Sequence, residues 1–273
     1  KLFELFQVEK SITFSEARSV YSTARAELAR WLDEGWITVG QRNQNYEFTP
    51  TRASTHNQKD EIVIELTVPQ RAAVETVADN LDAHQVWLLQ GVTGSGKTEV
   101  YFQVMAKTLR LGLQIMVLVP EINLTPQFES RLRARFPEHQ IVTLNSSMSD
   151  RERLQAWMLA RSGVASIVLG TRLAIFASLP KLGLIVVDEE HDLSYKQVEG
   201  VRYNARDLAI YMASENNVPI ILGSATPSLE TYFNFLEGKY KRVVLNERPH
   251  GPSPEIQLIS VDRAFARTIA PEI

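Results

Sequence analysis

Cysteine is absent from the 273 residues, and histidine appears only five times, scattered along the chain. Without thiols there is neither a disulfide framework nor a thiolate zinc site within this span. The same lack fits a reducing compartment. No apolar run approaches the ~18 residues that a membrane helix needs, and no signal-type segment is present, so the expectation is a cytoplasmic protein with no membrane partner. Positive charge is not in excess: 29 Lys and Arg stand against 32 Asp and Glu, a net charge of −3, so any contact with nucleic acid must use local patches. Internal repeats and low-complexity stretches are missing as well. So is an initiating methionine. The sequence starts mid-pattern at Lys1 and stops inside a proline-bearing tail, and we expect a piece of a longer protein. What is present, 44% apolar and 22% charged residues, suits a soluble globular chain with one large domain and a small one.

Residues 91–98 read Gly-Val-Thr-Gly-Ser-Gly-Lys-Thr, a complete G-x-x-x-x-G-K-[ST] phosphate-binding loop. An apolar run of strand length, residues 86–90, precedes it. A helical pattern over residues 99–110 follows, with Val100, Val104 and Leu111 at helical spacing. Strand, glycine loop and helix is the setting this motif needs. Gly91, Thr93, Gly94, Ser95 and Gly96 would form a cradle of backbone N–H groups at a helix N-terminus, where the partial positive charge also favours phosphate. Lys97 would bring a full charge to the β and γ phosphates, an interaction of about 4 kcal/mol at ~4 Å and an effective dielectric of ~20. Thr98 would give its hydroxyl to Mg²⁺.

Residues 1–48 read as a small α+β unit. One helical stretch opens at Thr13-Phe-Ser-Glu16. A second, residues 22–34, carries Leu28, Trp31 and Leu32 on one face and stops at Gly35. Residues 36–39 and 46–48 then read as two short strands around a polar loop. Two helices and a β-hairpin outline a winged helix, with a small helical connector as the alternative. Charge over residues 1–60 balances, which gives no strong DNA-reading helix. Residues 49–61 are polar and aperiodic, a linker.

Residues 62–245 form the second unit. Strand-like runs at 86–90, 115–119, 140–144, 165–169, 184–187 and 219–222 alternate with amphipathic stretches. Ser149-Asp-Arg-Glu152 is a capping box at the head of a helix that carries Leu154, Trp157, Met158 and Leu159. Near-continuous apolar strands alternating with helices predict an α/β unit with a mostly parallel sheet and flanking helices. Ligands of such sheets sit at the carboxyl ends of the strands, where the glycine loop falls. Pro249, Pro252 and Pro254 mark residues 246–273 as a linker into a missing domain, with residues 256–260 as the start of another strand.

Three further constellations carry chemistry. Asp188-Glu-Glu-His191 follows the apolar run 184–187. Carboxylates at a strand end beside a phosphate loop are what phosphoryl transfer to water requires: one holds Mg²⁺ and another orients the attacking water. We assign Asp188 to the metal and Glu189 to the water. Gly223-Ser-Ala-Thr-Pro227 places small hydroxyl residues on a tight turn, within reach of the acidic motif. Taken alone it is an ordinary strand-to-helix turn with Pro227 at the helix start. Gln70, about 20 residues before the glycine loop, has an amide donor and acceptor that suit adenine, and is otherwise a helix-start glutamine.

In this order the blocks resemble the first RecA-like lobe of a superfamily 2 helicase. Walker A is residues 91–98, Walker B residues 188–191, and the Ser-Ala-Thr motif residues 224–226. The extended runs at 91–101 (Gly-Val-Thr-Gly-Ser-Gly-Lys-Thr-Glu-Val-Tyr), 119–127 (Val-Pro-Glu-Ile-Asn-Leu-Thr-Pro-Gln) and 194–207 narrow it to the bacterial helicases that restart stalled replication forks. The resemblance covers residues 62–260 well and the winged-helix-like unit loosely. It implies an ATP-dependent DNA helicase or translocase with ATP and Mg²⁺ as cofactors. Single-stranded and forked DNA, single-strand-binding protein and primosome loading proteins would be the partners of a monomer. Lys97, Asp188, Glu189 and His191 would be catalytic, and Gln70 would contact adenine. His191 would couple nucleotide state to DNA through Ser224 and Thr226. Thr125, Gln127, Thr171 and Arg172 would lie on the DNA face. Tyr195, Lys196, Arg202, Tyr203 and Arg206 would line a loop that senses single strands, since stacking rings mixed with cations suit that task. The plain alternative for that loop is a mobile surface segment.

Relatives of that type carry a zinc insertion, a second lobe and a domain that captures DNA ends. None lies in this sequence, so zinc is expected only in the full-length protein. Asn145-Ser146 stands where such helicases often place His-Ser. Other superfamily 2 translocases, such as fork-regression helicases, and a non-catalytic DNA- or protein-binding fragment are the competing readings. A small-molecule kinase is disfavoured, because it needs neither the Ser-Ala-Thr nor the Asp-Glu-Glu-His run.

Overall fold

The computed structural model describes residues 65–246, apart from 122, 123 and 125, together with Leu28, Arg30, Trp31 and Glu34. The chain divides into two units, Lys1–Lys59 and Asp60–Ile273. In the first, Arg30 and Glu34 pair at 3.3 Å across one helical turn, and the Glu34 N–H donates to the Arg30 carbonyl. The expected winged-helix outline at 1–48, the linker at 49–61 and the tail beyond 246 otherwise lie outside the described residues.

The second unit is the predicted α/β lobe. In chain order it runs α1 (Val68–Ala78), β1 (Val86–Gly91), α2 (Lys97–Arg110), β2 (Gln114–Leu118), α3 (Pro126–Arg135), β3 (Ile141–Leu144), α4 (Asp150–Arg161), β4 (Ile167–Gly170) and β5 (Leu182–Val187). A two-residue pair, β6 (Lys196–Gln197) and β7 (Tyr203–Asn204), follows. Then come α5 (Ala205–Glu215), β8 (Ile220–Ser224), α6 (Leu229–Leu236) and β9 (Lys241–Leu245). Seven strands form one parallel sheet in the order β3-β4-β2-β5-β8-β1-β9. All six sequence-predicted strands are in it, within two residues at their starts. β9 was not predicted. It pairs with β1, with Leu245 opposite Gly91. The β6–β7 pair is a separate antiparallel ribbon.

Strand residues alternate between two cores because successive side chains point to opposite faces. From β2, Ile115 and Val117 enter one apolar cluster with Val100 and Val104 of α2. Met116 and Leu118 enter the other with Ala209 and Ala213 of α5. Both faces are thus covered, which is why the strands read as unbroken apolar runs. No helix among the described residues is long and apolar enough to cross a membrane.

The capping box of α4 forms as predicted: the Glu152 N–H donates to Ser149 Oγ at 3.3 Å, and the Ser149 N–H donates to Glu152 Oε2 at 2.8 Å. The packed face is only in part the one the large residues mark: Leu159 packs against the second cluster. Ala156 and Ala160 are buried, whereas Leu154 and Met158 are 57% and 45% exposed. Small side chains let the helix lie close on the sheet, with Leu154 and Met158 turned outward.

Candidate nucleotide site

The carboxyl ends of β1, β5 and β8 bring the predicted motifs together. The loop after β1 turns through Gly94 and Gly96, at φ +82° and +84°, a left-handed conformation that side chains disfavour. Gly96 is the N-cap of α2, and its carbonyl accepts from the Glu99 and Val100 N–H groups. Lys97 is buried. Its Nζ donates to the Gly91 carbonyl at 2.9 Å and lies 3.5 Å from Glu189 Oε1. Ser95 Oγ is buried and has no hydrogen-bond partner. An orphaned hydroxyl inside a glycine cradle, at a helix N-terminus and beside a buried lysine, fits a polyphosphate.

Gln70 reaches this loop from α1. Its Nε2 donates to the Ser95 carbonyl at 2.9 Å, and its Oε1 accepts from the Thr67 N–H at 2.9 Å in a capping box. The side chain is buried and braced between the head of α1 and the phosphate loop.

At the end of β5, the Asp188 N–H donates to the Leu118 carbonyl. Two buried tyrosines hold this residue. Tyr101 of α2 donates to Asp188 Oδ1 at 3.0 Å, and the Tyr195 hydroxyl lies 2.6 Å from the Asp188 carbonyl and 3.1 Å from that of Leu118. Burial first, and then the Glu189 charge, push the Asp188 carboxyl above the usual carboxylate range. A cation beside it would relieve that cost. Among the described residues no group of three or more His, Asp or Glu side chains could hold a metal by itself. Mg²⁺ does not need one, since it binds through one or two carboxylates plus phosphates, and Asp188 with Thr98 fits that donor set.

Glu189 has φ +44°, a strained value for a glutamate, of the kind that persists where surrounding structure enforces it. His191 Nδ1 lies 3.7 Å from Glu189 Oε2 and 2.8 Å from Ser224 Oγ, and His191 Nε2 lies 3.5 Å from Thr226 Oγ1. Ser224 Oγ in turn accepts from the Thr226 N–H at 3.0 Å. The structure therefore joins Lys97, Glu189, His191, Ser224 and Thr226 in one chain of polar contacts.

Sequence reasoning gave no role to the third acid, Glu190. It is fully buried and accepts from Ser228 N–H at 2.7 Å, Thr231 Oγ1 at 2.9 Å and Arg206 Nη1 at 3.0 Å. The signal available in sequence was an acid at a strand end with a capping serine 38 residues away, which no spacing rule reads. Arg206, named as a DNA contact, thus spends its guanidinium on Glu190 and on Asp207, with its side chain 10% exposed. Removing one partner of a buried pair strands the other charge. Arg206→Ala should therefore lower stability by about 3 kcal/mol, the low end of the usual cost because Ser228 and Thr231 still serve Glu190. Thermal unfolding checks this: the midpoint should fall by roughly 6–12 °C for a unit of this size. An unchanged midpoint with weakened DNA binding would instead make Arg206 a DNA contact.

Other residues named for DNA are placed differently. Tyr195 is 1% exposed, so its ring is not offered to solvent. Lys196 and Arg202 are exposed, on and beside the β6–β7 ribbon. Tyr203 is half-buried, edge to face with Phe176 at 5.1 Å between centroids. Arg172 Nη1 donates to the carbonyls of Ser194 and Lys196 at 3.2 and 3.3 Å and so braces the start of the ribbon. Thr171 is buried, and its hydroxyl has no partner. Gln127 is exposed on the first turn of α3, and Thr125 lies outside the described residues. A cleft of about 750 Å³ between the ribbon and the strand ends is lined by His191, Lys196, Arg202, Tyr203, Arg206 and Ser228 among others.

The sequence profile of the DEAD/DEAH box helicases matches residues 67–235. The chain is 53% identical over 163 residues to the replication restart protein PriA of Haemophilus influenzae, covering 60% of this chain and 22% of that protein. It is 44% identical over 199 residues to the replication restart protein PriA of Bacillus subtilis, covering 72% of this chain and 25% of that one. It thus spans about a quarter of the length of the curated relatives it matches. Among solved structures, RecG bound to a three-way DNA junction aligns with a TM-score of 0.53 at 23% identity, over 69% of this chain and 25% of that chain. The DUF1998 helicase MrfA bound to DNA aligns with a TM-score of 0.50 at 19% identity, over 68% and 28%. At those identities the structural likeness is one of fold.

Proposed function

The chain belongs to the DEAD/DEAH box helicase family, and from that premise we propose that it is the ATP-binding lobe of a DNA motor that acts at stalled or branched replication forks. The observation that carries this reading is the Lys97–Glu189 contact at 3.5 Å, continued through His191 to Ser224. It links the phosphate loop, the acidic motif and the Ser-Ala-Thr turn. The relatives named for replication restart supply the fork.

In this reading Thr98 and Asp188 hold Mg²⁺, which when bound neutralises charge on the β and γ phosphates. The cradle around Ser95 binds the phosphates. Lys97 exchanges Glu189 for phosphate oxygen, a swap of one anion for another that leaves the buried lysine paired. Glu189, released from the lysine, turns to the attacking water and orients it. His191 follows Glu189 on one side and Ser224 and Thr226 on the other, and so carries the state of the site to β8 and α6. Gln70 holds the loop's Ser95 carbonyl and meets the base with the rest of its amide. Thr125, Gln127, Thr171, Arg172, Lys196, Arg202 and Tyr203 are the residues assigned to DNA. Forked DNA, single-strand-binding protein and loading proteins are the partners of the whole protein.

The test is steady-state ATP hydrolysis by a protein that joins this lobe to its second lobe, with and without single-stranded or forked DNA. DNA should raise turnover severalfold or more. Turnover indifferent to DNA would overturn the motor reading and leave a nucleotide-binding or kinase-like module.

A further inference from the structure

Tyr101 stands four residues after Lys97, on the face of α2 that packs against the sheet. Its ring is 3% exposed, and its hydroxyl donates to Asp188 Oδ1 at 3.0 Å. Among the described residues it is the side chain that donates to that carboxylate. The hydroxyl occupies space that exists only because residue 223 has no side chain. A Cβ on Gly223 would overlap the Tyr101 hydroxyl oxygen and lie 2.6 Å from Cζ. The Gly223 carbonyl, in turn, accepts from the Glu190 N–H at 2.9 Å. Three segments far apart in sequence, at 101, 188 and 223, therefore meet around one phenol oxygen.

A carboxylate on a strand end has free rotation about its last bond unless something fixes it. The Tyr101 donor on Oδ1, together with a hydrogen bond from the Glu189 backbone N–H to the same carboxyl group, restrains that rotation. Burial first, and then the Asp188 charge, push the phenol well above its ordinary range, so it stays a neutral donor at any working pH.

We propose that Tyr101 is a positioning residue for hydrolysis: seated against Gly223, its hydroxyl orients the Asp188 carboxylate toward the metal. The proposal rests on the reading of Asp188 as the metal carboxylate. It also gives the glycine of the Gly-Ser-Ala-Thr turn a reason to be glycine, namely room for a hydroxyl from another element.

The experiment measures nucleotide affinity, by a fluorescent ADP, as Mg²⁺ is raised from zero, for the full-length protein and three variants. Tyr101→Phe removes one oxygen. It should leave Mg²⁺-free affinity unchanged and raise the Mg²⁺ concentration for half-maximal enhancement about tenfold, the lower end of what outer-shell partners of metal ligands contribute. Gly223→Ala displaces the hydroxyl without deleting it and should give the same shift, with no further shift when the two are combined. Asp188→Asn is the reference. If Asp188→Asn moves the Mg²⁺ requirement and Tyr101→Phe does not, the Tyr101 proposal is wrong and the reading of Asp188 stands. If Asp188→Asn leaves the requirement where it was, that reading falls and takes the proposal with it. A lower melting temperature for Tyr101→Phe with an unmoved Mg²⁺ requirement marks a packing residue and overturns the proposal.

Discussion

Glu189→Gln should cut DNA-stimulated ATP hydrolysis by about 10²- to 10⁴-fold, the span that a positioned acid or base contributes. The same change should not weaken nucleotide binding. In the structure Glu189 sits 3.5 Å from the Lys97 ammonium, the group that phosphate must recruit. A neutral glutamine gives up that pairing, so ATP no longer competes with an internal carboxylate. The pair is partly screened, with Glu189 28% exposed, and its loss should tighten nucleotide by a few-fold at most, the effect of up to about 1 kcal/mol. Fluorescent-nucleotide titration beside a phosphate-release assay separates the two effects. Weakened binding together with lost turnover would assign Glu189 to holding metal or phosphate instead of orienting water.

By itself, this lobe should turn over ATP about 10³- to 10⁵-fold more slowly than a protein that carries both lobes, the worth of an arginine supplied from outside the phosphate loop. The described residues place Lys97 at the cradle as the cation for the phosphates. Arg206 is bound to Glu190, and Arg172 to backbone carbonyls around the ribbon. Arg206 is not released without breaking a buried contact, and Arg172 not without giving up two backbone acceptors. Charge that develops on the transferring phosphoryl group would therefore lack its second cation. Weak binding should persist, because the glycine loop, Lys97 and Asp188 are all present. Single-turnover hydrolysis by this chain, compared with the two-lobed protein at saturating ATP, decides the matter. Equal rates would mean that the lobe completes its own site.

What could be read in sequence was what is local. The six apolar strands announced themselves because a doubly covered parallel sheet demands continuous apolar runs. β9 did not, since Lys-Arg-Val-Val-Leu opens on two charges and lies at the sheet edge, where one side need not be buried. The phosphate loop was legible through its spacing and its flanking elements. The roles of Glu190 and Tyr101 were not, because their partners lie 16 to 122 residues away and only the sheet order brings them together. The loop at 194–207 shows the same limit. Its composition of rings and cations says that it contains stacking and charge. It does not say that Tyr195 faces inward to Asp188, or that Arg206 is held by Glu190. On α4, the large apolar residues were the visible signal; of these Leu159 packs inward, while the buried Ala156 and Ala160 were silent.

The unpredicted edge strand has a mechanical consequence. β9 lies in parallel beside β1, one strand spacing of about 4.8 Å away, and its last residue, Leu245, is buried opposite Gly91 at the mouth of the phosphate loop. The polypeptide leaves the sheet there. A tug on the chain beyond this point, directed along the strand, loads every rung of the β1–β9 ladder at once in shear and does not peel them one by one. Such a load is shared along the whole β1–β9 ladder and reaches Gly91, the first residue of the glycine loop.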